Sequence, residues 1–162
     1  PDGSAMFTTM AELGWTPKFA LVIRAPEGVN WGESLGKIGD YVTIFPGWHH
    51  AANFEGVDKL NERHQELYGR PADLLTGPAY ACVQILAKAI EEAGTLDRDT
   101  IISTISAGSF DTVIGPVTFN ADGTGNVLDP LIQWQNGKME LVWPAEHASA
   151  EFVYPAPAFD DR

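Results

Sequence analysis

Phe19-Ala-Leu-Val-Ile23 is an uninterrupted run of apolar residues with the length of a β-strand. A second run, Tyr41-Val-Thr-Ile-Phe45, is closed by Pro46-Gly47. Runs without alternating polar residues are typical of strands buried on both faces of a parallel sheet. These segments therefore predict an α/β fold with helices on the sheet. Because two strands alone make a poor sheet with exposed edges, we expect them to be part of a larger sheet.

Apolar residues at helical spacing predict two helices around these strands. The first lies within residues 2–13 and stops at Gly14. The second carries apolar residues from Phe54 to Tyr68 and stops at Gly69. Glycine just beyond the last apolar residue is a usual C-terminal helix signal, so both ends are well defined.

The strongest helical pattern opens at Pro78 and has Gly94 as its C-terminal cap. Cys82 lies within this apolar pattern, so we expect an inert core thiol, because reactivity needs exposure and a lowered pKa. As the single cysteine of the chain, it excludes an internal disulfide and a multi-cysteine metal site. Asp97 is placed to cap a shorter helix that follows. The residues that share one apolar face of the strongest helix are Tyr80, Val83, Leu86, Ala87 and Ile90.

After Gly108 the pattern changes to antiparallel pieces. Thr112–Phe119 reads as a short strand broken at Gly115-Pro116. Further on, Asn136-Gly137 stands between two alternating segments, which is a specific signal for a two-residue β-hairpin. The tail from Pro144 is expected to wrap the surface in extended form.

Composition excludes several classes of function. The chain has 162 residues and a formal charge of −12, which opposes binding to nucleic acid or to an anionic membrane surface. Its longest apolar runs are too short to span a bilayer. It starts at Pro1 without an initiator methionine, basic segment or apolar signal region, which predicts processing or truncation.

The sequence offers no catalytic constellation. Trp48-His49-His50 is the most conspicuous cluster, but neither His64 nor His147 stands at metal-site spacing from it, so no metal is predicted. Residues 120–131 faintly echo a calcium loop but end in Leu131 where an acid is needed. Gly123-Thr-Gly-Asn126 lacks the third glycine of a dinucleotide fingerprint. We therefore expect no cofactor, and the missing acid–base pair favours a binding protein over an enzyme.

Several segments, in order, resemble the solute-binding proteins of ABC transporters of the branched-chain amino acid type. Pro78–Gly94 resembles a family helix that starts near the crossover between lobes, and Phe54–Gly69 resembles the helix before it. Phe110–Phe119 with Asp122-Gly123 resembles a family strand and turn, and Ile132–Lys138 resembles the last hairpin. The resemblance covers about residues 17–144.

This resemblance implies the C-terminal part of a two-lobed type I periplasmic-binding-protein fold. Residues 1–75 would belong to the second lobe and residues 76–127 would supply helices and a strand of the first lobe. Residues 128–162 would return to the second lobe and end in an extended tail. The opening βαβ units of the first lobe, which in the family hold a ligand's carboxylate, have no counterpart here. A missing N-terminal part or a second copy would then complete the fold.

The implied function is the extracytoplasmic solute-binding component of an ABC transporter. Such a protein traps a small amino acid, or a related carboxylic or aromatic compound, between its lobes and docks on a membrane permease. It would be periplasmic or extracellular and held at the membrane through the transporter or a lipid anchor, although this chain carries no signal peptide. The alternatives are a ligand-sensing lobe of a receptor or regulator, and a small hydrolase that uses His49 or His50.

Four residues are candidates for the ligand site. Loops after the C-terminal ends of parallel strands are where open α/β sheets place ligands, so Trp48 is the first choice for a pocket wall. By resemblance, Tyr80 and Thr76 lie at the crossover near the cleft. Asp40 lies close to where the family carries an acid that pairs with the ligand's ammonium group, although the alignment equally admits Gly39 at that place.

Overall fold

The computed structural model describes residues 2–28, 30–45 and 47–162. Pro1, at the start of the sequence, and Pro46, at the end of the predicted second strand, lie outside the described residues. Helices are α1 (Asp2–Glu12), α2 (Asn30–Leu35), α3 (Val57–Tyr68), α4 (Thr76–Ala93) and α5 (Arg98–Ala107). Strands are β1 (Ala20–Leu21), β2 (Val42–Ile44), β3 (Ser109–Thr112), β4 (Gly115–Phe119), β5 (Gly125–Asn126), β6 (Leu131–Gln135) and β7 (Lys138–Trp143).

The chain divides into two units. The sheet unit comprises Pro1–Ala51 and Asp129–Arg162, and the helix unit comprises Ala52–Leu128. The lobe boundaries predicted from sequence, after residues 75 and 127, refer to a whole two-lobed protein and stay a prediction. No helix within the described residues is long and apolar enough to cross a membrane.

The sheet unit is built on a four-stranded sheet in the order β1-β2-β6-β7. β1 and β2 are parallel, whereas β6 runs antiparallel to both β2 and β7. All three residues of β2 are buried, as its apolar run predicts. The mixed α/β architecture confirms the predicted fold class. The C-terminal hairpin therefore completes the same sheet that the N-terminal strands begin.

The prediction that Phe19–Ile23 is buried on both faces is wrong. Only Ala20 and Leu21 form a strand, and Phe19, Leu21 and Ile23 are exposed. Within the described residues β1 stands at the edge of the sheet and is bonded on one side only, to β2. Apolar composition alone did not distinguish an edge strand from a covered central one.

The predicted hairpin at Asn136-Gly137 is confirmed. Both residues have positive φ, 52° and 73°, as a two-residue turn of this class requires. The outer edge of β7 is covered by the chain itself: Ser149 N donates to Leu141 O at 2.7 Å. Covering an edge strand in this way removes a site for unwanted strand pairing.

The helix unit packs α4 and α5 with the three-stranded antiparallel sheet β3-β4-β5. The predicted break at Gly115-Pro116 is the point where β3 ends and β4 begins. Asp97 caps α5 as predicted, because its carboxylate accepts from Thr100 N at 2.9 Å. Gly69 and Gly94 end α3 and α4 in the left-handed conformation, also as predicted.

The apolar face that the sequence assigns to α4 is largely exposed. Val83 is 66% and Tyr80 is 47% exposed, while Gly77, Ala81 and Ala89 are the buried residues of the helix. The expectation of a core thiol is therefore wrong, since Cys82 is exposed. The physical reason is that α4 approaches its own unit through small residues, which leaves its large apolar side chains on the outer face.

Exposure of Cys82 predicts ready modification in the folded chain. We expect a maleimide to label it in buffer at a rate within a few-fold of the rate in denaturant, as measured by mass spectrometry. Labelling that occurs only after unfolding would contradict the exposed position of this residue.

Candidate functional site

The loop after β2 lies where the sequence places a ligand wall. Gly47 N donates to Pro130 O at 3.1 Å, which holds the loop against the residue before β6. A side chain at Gly47 would not fit, because its Cβ would stand 2.5 Å from Ile132 Cγ1. The described part of the loop is thus fixed by a close backbone approach to the hairpin.

His49 fastens this loop to β7. Its Nδ1 accepts from Ala51 N at 3.1 Å, and its Nε2 contacts Met139 O at 2.9 Å. A nitrogen that accepts from an N–H carries no proton, so the ring is the neutral tautomer with the proton on Nε2, which donates to the carbonyl. Both ring nitrogens are hydrogen-bonded to the backbone, so neither is available to activate a nucleophile. The alternative that the chain is a hydrolase using His49 therefore lacks support.

Burial lowers the pKa of His49 from 6.5 to about 4. The neighbouring His50, whose ring stacks on His49 with centroids 4.2 Å apart, lowers this pKa further, while the Met139 carbonyl and Glu140 oppose the shift. Protonation would place a second donor against Ala51 N–H. The fold therefore holds the neutral ring.

Trp48 is 2% exposed. A ligand that touches its ring would thus require the loop to open or would meet only the rim of the indole. Its role as a pocket wall stays a prediction.

Asp40 is buried and fastened to the hairpin. Its Oδ1 accepts from Gly137 N at 2.8 Å, and its backbone oxygen accepts from Arg162 Nη1 at 2.7 Å. Gly39, the alternative position for the acid, packs so closely on Trp31 that a Cβ would stand 2.7 Å from the indole nitrogen. Asp40 therefore already supports the turn, and its pairing with a ligand ammonium group stays a prediction.

Thr76 is the first residue of α4 and is bonded to Asp73. Its Oγ1 donates to Asp73 Oδ1 at 2.9 Å, and Arg70 Nη1 donates to Asp73 Oδ2 at 3.1 Å. Burial raises the pKa of Asp73, but the hydrogen bonds from Thr76, Arg70 and Leu75 N–H outweigh it and lower the pKa overall. The start of α4 is thus held by a charged cluster.

The structure places Asp40 and Trp48 in the sheet unit, and Thr76 and Tyr80 in the helix unit. Sequence reasoning missed Asp73 and Arg162. Asp73 accepts from the N–H of Leu75, two residues on, and aspartate in such a local turn just before a helix is a recognisable signal. The last residue of an extended tail gives no such signal, so Arg162 could only be found from coordinates. The described residues hold no group of three or more potential metal-binding side chains.

A model of the periplasmic binding protein family matches residues 1–138. The chain belongs to this family. A leucine-, isoleucine-, valine-, threonine- and alanine-binding protein from Pseudomonas aeruginosa is 30% identical in a 128-residue alignment that covers 68% of this chain and 33% of that protein. The sequence resemblance is thereby confirmed.

Solved structures have the same fold. A leucine binding protein from Thermotoga maritima aligns with a TM-score of 0.72 at 21% identity, over 87% of this chain and 41% of that one. A solute-binding protein of an ABC transporter from R. palustris, in complex with benzoate, aligns with a TM-score of 0.66 at 15% identity, over 94% and 49%. The chain therefore spans from a third to a half of the length of these relatives.

The pKa of His49 predicts an acid-sensitive sheet unit. The folded pKa of about 4 lies below the unfolded value of 6.5. The stability that the neutral His49 ring contributes to the fold is therefore complete above pH 6.5 and is lost as the pH falls toward 4. We expect about 2–3 kcal/mol less unfolding free energy at pH 4.5 than at pH 7. Urea unfolding followed by tryptophan emission measures this, because all five tryptophans lie in the sheet unit.

The matched variants are His49→Gln and His147→Gln. The first removes the titrating ring and should remove most of the pH dependence, whereas the second should keep it. Equal pH dependence in wild type and His49→Gln would contradict the assignment.

Proposed function

We propose that this chain is part of the extracytoplasmic solute-binding component of an ABC transporter. The observation that carries the proposal is the family match over residues 1–138. The structural relatives, which include a leucine binding protein and a benzoate-bound solute-binding protein, support it through their shared fold. In this role the protein presents a captured solute to a membrane permease from the periplasmic or extracellular side.

The proposed ligand is a small amino acid or a related carboxylic or aromatic compound. The relatives support both ends of this range, since one is described as binding leucine, isoleucine, valine, threonine and alanine, and another holds benzoate. Because Asp40 already accepts from Gly137 N, its pairing with an ammonium group would share the carboxylate with the turn. A carboxylic acid without an ammonium group needs no such acid, so it is the simpler fit to this chain.

Tyr80 and Thr76 are the proposed contributors from the helix unit. Tyr80 is 47% exposed, so its ring is accessible to a ligand without rearrangement. The Thr76 hydroxyl donates to Asp73 Oδ1 and accepts from Asp73 N, which orients it and leaves one lone pair to accept from a ligand donor. Trp48 and Asp40 are the proposed contributors from the sheet unit, and both require local opening.

A covering partner is proposed for the α4 stripe, which we define as Leu75, Ala79, Val83 and Leu86. These residues recur at three- and four-residue intervals, so they lie along one side of the helix. All four are exposed. Large exposed apolar patches mark interaction surfaces. Since the relatives are two to three times longer than the matched region, we propose that a further part of the same protein, or a second copy in its absence, covers the stripe.

If the chain binds a ligand, that ligand should raise the melting temperature of the chain. We expect one class of compound, tested across aliphatic amino acids and small aromatic acids, to raise the melting temperature by about 5–10 °C at 100 times its Kd. Tyr80→Ala should reduce this shift, whereas Tyr154→Ala, which removes an exposed tyrosine of the sheet unit, should not. A cooperative melt that no compound moves would contradict a pocket formed by residues of this chain.

The α4 stripe predicts self-association of the isolated chain. We expect the weight-average mass in analytical ultracentrifugation to rise with concentration, because pairing removes apolar side chains from water. Val83→Glu, which buries a charge in any such pair, should restore the monomer mass. Ser103→Glu adds the same charge on α5 and should leave association unchanged. A strictly monomeric wild-type chain would refute the need for a cover.

A further inference from the structure

A cavity lies at the junction between α3 and α4. Of the four residues predicted for the ligand site, only Thr76 lines it. Its volume is about 340 Å³, which is at the lower end of the range for small-molecule sites. It lies entirely within the helix unit. The lining residues are Leu60, Arg63, His64, Leu67, Tyr68, Arg70 and Thr76.

Two of the five arginines of the chain line this cavity. The chain as a whole has a net charge of −12, and no acidic side chain is among the residues that line this cavity with Arg63 and Arg70. A guanidinium presents five N–H donors in a planar fork that matches a carboxylate. Arg63 and Arg70 therefore give this cavity the chemistry to hold an anion.

Each arginine also has an acidic neighbour three residues later. Arg63 Nη1 lies 2.8 Å from Glu66 Oε2, with both side chains 66% exposed, and Arg70 Nη1 lies 3.1 Å from Asp73 Oδ2. Exposed pairs of this kind contribute little to stability, so Arg63 can turn from Glu66 to a ligand at small cost. Arg70 is held more firmly, because Asp73 is also bonded to Thr76.

The wall of the cavity is apolar and aromatic. Leu60 and Leu67 face it from one side of α3, and the rings of His64 and Tyr68 lie 4.6 Å apart between their centroids. His64 Nδ1 donates to Arg70 O at 2.9 Å, and Asn61 Oδ1 accepts from Ala72 N at 2.9 Å. These bonds fold the segment after Gly69 back onto α3, so the cavity is preformed.

We propose that this cavity binds a small monocarboxylate with an apolar or aromatic body. The carboxylate lies between the guanidinium groups of Arg63 and Arg70, and the body packs on the leucines and the His64–Tyr68 pair. Inorganic phosphate satisfies the arginines alone and leaves the apolar wall in water, so it binds more weakly. This site goes beyond the proposed function, because it is complete within the helix unit and does not depend on a transporter.

The test is a titration of the full 162-residue chain with benzoate, followed by backbone amide shifts in ¹H–¹⁵N spectra. We expect the shifts to concentrate in residues 60–76 and to saturate. Benzamide, which has the same shape without the charge, and inorganic phosphate, which has the charge without the ring, should each bind at least several-fold more weakly.

Arg63→Gln is the decisive variant, because Arg63 is exposed and its loss should leave the fold intact. We expect it to raise the Kd for benzoate about tenfold, since a hydrogen bond to a charged group is lost. Arg98→Gln removes the same charge from the exposed start of α5 and should not change the Kd.

Equal affinity for benzamide, shifts confined to other residues, or equal effects of the two variants would overturn the proposal. The proposed transport function can fail independently, because its test follows thermal stabilisation by a panel of solutes and its dependence on Tyr80. A shifted melt without shifts at residues 60–70, which line the cavity but not the proposed transport site, would support transport binding alone. Shifts at residues 60–76 that need Arg63 but not Tyr80 would support this cavity alone.

Discussion

The pairing of β2 with β6 is the constraint on which the sheet unit depends. Ile44 stands opposite Ile132, and Thr43 stands opposite Gln133, although the paired residues are far apart in sequence. Closing so long a loop costs entropy that grows only slowly with its length, and the intervening residues 52–128 form a unit of their own. The sheet unit can therefore be completed by a hairpin that returns after the helix unit.

Gln133, one of the paired residues of β6, also holds the C-terminal tail by hydrogen bonds. Its buried amide both accepts from Val153 N and donates to Val153 O, each at 3.0 Å. The tail then continues to Arg162, whose guanidinium donates to the carbonyls of Ile38 and Asp40. Burial lowers the pKa of this guanidinium, which the nearby charge of Asp40 opposes. The chain thus returns to the start of β2, and Asp40 supports both the hairpin and the tail.

The elements that sequence predicts well are those with local causes. Asn136-Gly137 forms its turn because the backbone there needs positive φ, and Asp97 caps α5 because its carboxylate reaches an N–H three residues on. Burial of Phe19 and Cys82 was misjudged because periodicity reports which residues share a face but not what covers it. The bonds of Asp40 to Gly137 and of His49 to Met139 join residues 97 and 90 positions apart, so no local pattern could reveal them.

The two faces of α4 follow from one requirement of helix packing. Gln84 Oε1 accepts from Val113 N and Lys88 Nζ donates to Asp111 O, so these residues mark the face that meets β3. Close approach on this face needs small side chains, and Gly77 and Ala81 supply them. Large apolar residues lie on the opposite face, where they are exposed. Because the hydrophobic effect favours removing such surface from water, this exposed apolar face is the physical basis for proposing that α4 is covered.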